Sequence, residues 1–354
     1  MERAEILIIG GGIAGLSTAF HLARAGRGDV VLAEREDLPG FYASGHNAGI
    51  ARQLTGRAEH TALTVRGRDR LAEAGLMTVT GGYLLGAEPG GAGALAREAA
   101  AFGLDVRLTP GSPFPDLRAA EALHIPGDGA IDVDALLRAC AEGARAGGAR
   151  LRFGCQVRAL QPEADGFTVD LDGGPLRVGR IVNAAGGWAG EVGRWAGGLD
   201  LAFQPLRRHL VWSRTPYAAD RPYVWWADRP LYLRPESGGV LFCACEEQPV
   251  VPPGRGVQPP VDPSMLESLS ASLRDLAPAF GEASVDRLWC GIRTFAPDRR
   301  FVLGPDPVNP RLFWVAGLGG HGMTSGLAVG ELAARALLEG ASTGALEPGR
   351  FLAH

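Results

Sequence analysis

No lysine occurs among the 354 residues; all 35 basic side chains are arginine. A Schiff base between a substrate and an enzyme lysine is therefore excluded, and so is lysine-assisted activation of oxygen. Cysteine is scarce. Cys140, Cys155, Cys243, Cys245 and Cys290 are an odd number and form no C-x-x-C pair or zinc-ligand spacing. Reduced, mostly structural thiols in a cytoplasm are expected, with no metal site. No run of about 20 apolar residues is free of charge or glycine clusters, so a spanning helix is not expected; peripheral attachment to a membrane stays open. The net charge of −4 gives no basic footprint for nucleic acid or an anionic membrane. The first apolar strand begins at Ile6, which leaves no room for a basic segment and cleavage site, so no signal peptide is expected.

Glycine, by contrast, is abundant at 52 residues. Its placement near the start carries the most information. The apolar run Ile6-Leu7-Ile8-Ile9 leads into Gly10-Gly11-Gly12-Ile13-Ala14-Gly15, then a helix-forming run from Leu16 to Ala25, then a second strand from Asp29 to Ala33. This is G-x-G-x-x-G in a strand–turn–helix–strand setting. Gly10 allows a tight turn, Gly12 lets a diphosphate approach the backbone, and Gly15 lets helix and strand pack closely. The helix N-terminus directs free N–H groups and the positive dipole end at the phosphates. Glu34 follows the second strand, 19 residues after Gly15, where a carboxylate accepts hydrogen bonds from adenosine ribose hydroxyls. The pattern predicts a dinucleotide site.

The length admits two domains with sizeable cores. A small-residue loop, Pro39 to Gly49, follows the first unit. Helical periodicity returns from about Glu59 to Ala74, over Ala94–Phe102, and from Asp132 to about Ala146. Gly81–Gly86, Arg150–Val157, Thr168–Leu171 and Arg180–Trp188 read as strands, the last ending in a glycine turn. Residues 203–246 are strand-rich and aromatic, and residues 249–263 hold six prolines and read as a surface loop. A helix is expected around Ser264–Leu276. The end of the chain repeats its opening: a strand, Leu312–Ala316, the glycine-rich turn Gly317–Gly326, and a long helix to about Leu338. A cofactor domain built from discontinuous segments, 1–80, 130–200 and 289–354, is expected, with a substrate domain, 81–129 and 201–288, inserted into it.

The order of motifs resembles a known family. The opening glycine turn with Glu34, the loop Ala43–Gly49, V-N-A-A-G-G-W at 182–188, W-C-G-I-R-T-F-A-P-D at 289–298 and G-L-G-G-H-G-M-T-S-G at 317–326 are similar to the FAD-dependent D-amino acid oxidase superfamily, which includes glycine oxidases, sarcosine oxidases and D-amino acid dehydrogenases. Residues 131–136, 204–208 and 231–235 add a likeness to bacterial D-arginine dehydrogenases. The resemblance implies an α/β chain, α+β overall. It has a glutathione-reductase-like, Rossmann-type FAD-binding domain and an inserted antiparallel β-sheet substrate domain. Two departures stand out. Ile50 occupies the place of a substrate-side histidine, and Gly81-Gly82 the place of a glutamate that holds a cationic side chain.

The implied cofactor is non-covalent FAD. Its implied site takes Gly10, Gly12, Ile13, Ala14, Gly15, Glu34 and Arg35 from the first unit. It takes Ser44, His46, Asn47, Ala48 and Gly49 from the loop, and Val157, Ala185, Gly186 and Trp188 from the middle segments. The last turn gives Gly319, Gly320, His321, Gly322, Met323 and Thr324. Arg293 resembles the residue that grips the substrate carboxylate, a rigid fork that pairs both oxygens; the plain alternative is a surface arginine on a strand. Tyr232 is expected to donate to the same carboxylate, or else to pack in the core. Arg207 and Arg208 are adjacent, so on a strand at most one faces the substrate. Ile50 and Gly320 complete the expected substrate contacts. His321 either lines the flavin site, as a third catalytic candidate, or is a tolerated turn residue. His46 either borders the flavin or faces solvent. By alternation Cys290 faces away from the cofactor, and Cys243 and Cys245 share one face as packing residues.

The implied reaction is oxidation of a small amino acid or amine at its C–N bond. A hydride passes to flavin N5, and the imino acid hydrolyses to a 2-oxo acid and ammonia. The electron acceptor is oxygen or a quinone; without lysine, the lysine that promotes oxygen reaction in sarcosine-oxidase relatives is missing, which leans toward a quinone or another acceptor. Two other readings remain: a secondary amine or 2-hydroxy acid as substrate, and a flavin-binding subunit of a larger complex. Oligomeric state is not legible.

Overall fold

The computed structural model describes residues 1–352. Its first sheet has eight strands, along the path Val157–Glu163, Gly166–Leu171, Leu176–Asn183, Glu2–Ile9, Val30–Ala33 and Arg150–Arg152. Leu312–Ala316 also pairs with Leu176–Asn183, and Val302–Pro305 pairs with Leu312–Ala316. The central pairings are parallel. Parallel strands are covered on both faces, and the residues obey that rule. Ile6 and Ile8 pack under the helices Ile13–Arg24, Val133–Ala146 and Gly322–Glu339, while Leu7 and Ile9 join the opposite core with Phe167, Val192 and Trp314.

Register fixes where the site lies. Ile9 pairs with Asn183, and Asn183 with Trp314, so the strands Glu2–Ile9, Leu176–Asn183 and Leu312–Ala316 end together. The turns that follow them, at Gly10, Ala184 and Gly317, converge at one sheet edge, the place where open parallel sheets hold ligands. The helices behind are drawn close by glycine. A Cβ on Gly330 would lie 2.1 Å from Ser17 Oγ and 2.5 Å from the Ser17 carbonyl carbon. Backbone cannot rotate away as a side chain can. Gly330→Ala should therefore lower unfolding stability by about 1–3 kcal/mol, read as a fall in the denaturant midpoint.

The second sheet has nine strands, in the order Gln248–Pro249, Gln204–Ser213, Gly239–Cys243, Tyr232–Glu236, Tyr223–Trp226, Gly82–Gly86, Glu121–Ile125 and Arg107–Pro110, with Arg287–Phe295 pairing Gln204–Ser213. It is mixed rather than wholly antiparallel. Tyr223–Trp226 runs parallel to Gly82–Gly86, because these strands are joined through a long excursion and not by a hairpin. One face packs on the helix Met265–Leu276 through Val211, Leu233 and Phe242. The other carries Leu210, Tyr232, Leu241 and Cys243 toward the loop at Ala48. Three short strands, Ile50–Ala51, Gly129–Ile131 and Met77–Val79, form a third sheet.

Two further sequence expectations need correction. Arg150–Val157 is not one strand. Arg150–Arg152 pairs with Val30–Ala33, Gly154 turns the chain at φ +67°, and Val157 starts the next strand. The boundary expected at residue 289 cuts through Arg287–Phe295, which pairs along Gln204–Ser213 and so belongs to the nine-stranded sheet. No helix among the described residues is long and apolar enough to cross a membrane.

Candidate active site

Two cavities meet at the convergent turns. The first runs from Gly10, Gly12, Ile13 and Ala14 past Glu34 and Arg35 to Val157, Ala185, Gly186 and Trp188, and on to Gly319, Gly320, Gly322 and Met323. The second is lined by Ala48, Gly49, Ile50, Arg52, Trp225, Tyr232, His321 and Thr324. Asn47, Arg208, Arg293, Met323 and the turn Gly317–Gly320 line both, so they form the shared wall.

The first cavity fits a dinucleotide by its own geometry. Gly10 adopts φ +115°, and a Cβ there would lie 2.4 Å from the Ala184 carbonyl oxygen. A Cβ on Gly15 would lie 2.0 Å from the Gly10 carbonyl oxygen, so each glycine is required where the turn, strand and helix meet. The helix Ile13–Arg24 starts at Gly12, which has no side chain to cap it, and Ser44 Oγ accepts the Ile13 N–H at 3.0 Å. The rest of that positive helix end is left to the cavity. Glu34 Oε2 accepts the Gly11 N–H at 2.5 Å and Oε1 accepts the Glu36 N–H at 2.9 Å. Burial raises its pKa against those two N–H groups. Each oxygen keeps a lone pair for a further donor. Arg35 closes this end, its guanidinium carbon 3.9 Å above the Trp188 ring. His46 lines the same cavity, with Nδ1 3.2 Å from the Tyr42 carbonyl oxygen. Gly291 lets that loop lie flat on the sheet, since a Cβ there would lie 2.3 Å from the His46 carbonyl oxygen.

Pairing across the nine-stranded sheet sets which arginines face inward. Arg208 stands opposite Gly291 and Leu206 opposite Arg293, so Arg208 and Arg293 share a face. Arg207 is turned the other way and is removed from the substrate side. It donates to Gln248 Oε1, the Pro260 carbonyl and Asp262 Oδ2 at 2.9, 2.8 and 3.0 Å, under the proline-rich segment. Cys290 shares that outer face and reaches the Pro259 carbonyl oxygen at 3.3 Å. Arg208 is held by the Glu246 carbonyl oxygen and by Glu247 Oε1, both at 3.1 Å.

Arg293 has no hydrogen-bond or ion-pair partner among the described residues. Burial pulls its pKa below the ordinary value, and the Arg208 charge adds to this; a guanidinium remains charged all the same. The Tyr232 hydroxyl is buried without a hydrogen-bond partner. Burial drives its pKa well above the ordinary value. His321 precedes the helix Gly322–Glu339 as its cap residue. Burial, then the charges of Arg52, His60 and Arg293, hold its pKa well below the usual imidazole value, so it is neutral. His60 accepts the Phe301 N–H on Nε2 at 3.2 Å and stacks on Phe301, and burial brings its pKa down to about 4. Thr324 donates from Oγ1 to the Ile50 carbonyl at 3.1 Å, tying the last helix to the loop.

Sequence reasoning missed Arg52, His60, Trp225, Glu247 and Arg299, all of which line the second cavity. One signal was present. Ile50 was placed at the substrate, and two-residue alternation puts Arg52 on the same side. The space beside Gly82 is occupied by Tyr223, whose ring would lie 2.3 Å from a Cβ there and whose hydroxyl donates to Asp128 at 2.6 Å.

Residues 5–336 match the family model described as FAD dependent oxidoreductase. The chain belongs to the FAD-dependent oxidoreductase family. FAD is the family's cofactor, and the glycine cradle with Glu34 suits it. The chain is 30% identical over 381 aligned positions to mitochondrial dimethylglycine dehydrogenase of Mus musculus, covering 96% of this chain and 43% of that protein. It thus spans less than half the length of that relative. Among solved structures, L-proline dehydrogenase from P. horikoshii superposes with a TM-score of 0.88 at 23% identity, covering 99% of this chain and 98% of that one. Glycine oxidase from Geobacillus kaustophilus superposes with a TM-score of 0.84 at 24% identity, covering both chains in full. At those identities the two structures establish the fold alone, an α/β architecture built on two large sheets.

Proposed function

We propose that the chain oxidises the C–N bond of a small carboxylated amine, a D-amino acid or a glycine-like amine, to an imino acid that water hydrolyses to a 2-oxo acid and ammonia. The observation that carries this reading is Arg293, a guanidinium without a counter-ion at the wall between two cavities. Its fork pairs both oxygens of a substrate carboxylate, and the unpartnered Tyr232 hydroxyl adds a donor from the sheet. FAD, when bound, supplies the two-electron acceptor for the hydride that leaves the carbon bearing nitrogen. The nitrogen lone pair closes the C=N bond as that hydride departs, so the amine must be neutral. Arg52, Arg208 and Arg293 favour the neutral form, because an ammonium among them is repelled. Neutral His321 adds no charge and offers a hydrogen-bond acceptor. In this reading catalysis is positioning, with Arg293 and Tyr232 orienting the substrate.

The same reading assigns the diphosphate to Gly10, Gly12, Ile13 and Ala14, the ribose to Glu34, and the flavin to Asn47 and the Gly319–Thr324 turn. The attachment is non-covalent, in keeping with the outward Cys290. Residues 1–80, 130–200 and those after Phe295 make the cofactor domain; the nine-stranded sheet makes the substrate domain. The lack of lysine supports a quinone or another acceptor over oxygen, and rapid peroxide formation in air would overturn that choice. The five free thiols support a reducing cytoplasm.

The test is an anaerobic screen of the FAD-loaded protein against D- and L-amino acids, glycine, sarcosine, dimethylglycine, proline and 2-hydroxy acids. Bleaching of the flavin by an amine is the expected result. Bleaching by hydroxy acids alone replaces the substrate class. No bleaching at full FAD occupancy overturns the enzyme reading in favour of a flavin-binding subunit.

A further inference from the structure

The second cavity holds more positive charge than one carboxylate requires. Arg52 lines it, as Arg293 does, and Arg52 too has no hydrogen-bond or ion-pair partner among the described residues. Its guanidinium carbon lies 4.2 Å from the centroid of the Trp225 ring. Trp225 in turn stacks on Tyr232, with centroids 4.3 Å apart and planes 29° apart. Arg52 is therefore held over an indole that itself stacks on the tyrosine, with its donors free for an anion.

No carboxylate among the described residues hydrogen-bonds or ion-pairs with it, although the charge of Asp128 acts on it through space. Glu247, the acid among the lining residues, accepts Arg208 Nη2 at 3.1 Å and Arg299 Nη2 at 2.7 and 2.8 Å. Asp128, the buried acid whose charge acts on Arg52, accepts Gln53 N–H and Nε2–H on Oδ1 at 3.1 and 3.0 Å and the Tyr223 hydroxyl on Oδ2. Burial lowers the Arg52 pKa below its ordinary value. A half-buried guanidinium with no directly paired carboxylate keeps its donors for a ligand anion, which gains a charge-assisted hydrogen bond there.

We propose that Arg52 binds a second carboxylate, so that the substrate is a small amine bearing two: an acidic amino acid or an N-carboxymethyl amino acid. Arg293 and Tyr232 take the carboxylate next to the reacting carbon, and Arg52 takes the distal one. An uncharged side chain leaves Arg52 unmatched. A basic one meets three arginines and no free acid. The assignment rests on the amine-oxidation reading for the identity of the reacting group, but the pair of carboxylate sites can be measured without turnover.

The experiment titrates FAD-loaded protein with glutarate and with valerate, which replaces one carboxylate by a methyl group, and follows perturbation of the flavin absorption spectrum. Neither ligand has an amine to oxidise. Glutarate should bind about 10- to 100-fold more tightly. Arg52→Gln should bring the two ligands to near parity and leave valerate unchanged, and Arg52→Lys should restore part of the preference. Equal binding to the parent protein, or equal weakening of both ligands by Arg52→Gln, overturns the proposal. A glutarate preference lost in Arg52→Gln, with no amine reducing the flavin, supports the two-carboxylate pocket and overturns the amine-oxidation reading. Reduction by sarcosine or glycine without any glutarate preference does the reverse.

Discussion

Arg293→Ala should raise the Michaelis constant for a carboxylated amine by about 100-fold or more, with FAD still bound at full occupancy. The magnitude follows from what is lost. Truncating one partner of a buried, hydrogen-bonded charge pair costs about 2–5 kcal/mol, much of it from the charge left behind, and about 2.7 kcal/mol is a factor of 100. Arg293→Lys should recover only part, since an ammonium keeps the charge and loses the fork. A second variant approaches the same group from outside. A Cβ on Gly320 would lie 2.7 Å from Arg293 Nη1, so Gly320→Ala displaces the guanidinium without removing it and should raise the constant in the same direction, by less. Steady-state kinetics with flavin content measured on each variant check both. A Michaelis constant unchanged in Arg293→Ala for every carboxylated substrate removes the arginine from the binding site.

The parts of this molecule that were legible in the sequence are those where backbone geometry leaves little choice of residue. Gly10 needs φ +115°, and Gly15 leaves no space for a Cβ, so the first turn was readable from its glycines and their spacing. The final turn was readable for the same reason, with Gly317 and Gly319 at positive φ. The convergence of three turns at one edge was not readable from any of them. It depends on the register between Ile9, Asn183 and Trp314, and register is a property of the folded sheet. The Arg207–Arg208 pair shows the limit from the other side. Alternation says that the two point oppositely, but the sense is fixed only when the segment around Pro259 and Pro260 covers one face. Arg52 lay in a short strand region without a motif, and its role depends on Trp225 beneath it, a residue more than a hundred positions away in the chain. The strand expected over Arg150–Val157 failed at Gly154, where the N–H is taken by the Glu36 carbonyl at 2.8 Å, a contact between segments that local propensity does not contain.

Glu34→Ala should weaken FAD binding by about 100-fold or more while the apoprotein stays folded. The carboxylate acts in two ways at once. Its oxygens accept the Gly11 and Glu36 N–H groups at 2.5 and 2.9 Å, which fixes the glycine turn against the end of the second strand. The same oxygens retain lone pairs on the cavity side for the adenosine ribose hydroxyls in the proposed assignment. Hydrogen bonds to a charged group are worth about 1.5–3 kcal/mol each, so losing two of them accounts for the expected change before any loosening of the turn is counted. The conservative change Glu34→Gln separates the contributions. An amide retains one acceptor oxygen and presents a donor in place of the other, so it supports one of the two backbone N–H groups and opposes the second. Glu34→Gln should fall between the parent and Glu34→Ala. The measurement is FAD retained after gel filtration, followed by titration of the apoprotein with FAD using flavin fluorescence. Burial raises the Glu34 pKa, and a carboxyl with a raised folded-state pKa contributes stability below its unfolded value that is lost as pH rises through the folded value. Removing it should therefore leave the apoprotein no less stable near neutral pH as far as this ionisation is concerned. Loss of FAD with the apoprotein melting at the parental temperature fits the assignment. Unaltered FAD affinity in Glu34→Ala assigns the ribose to another residue.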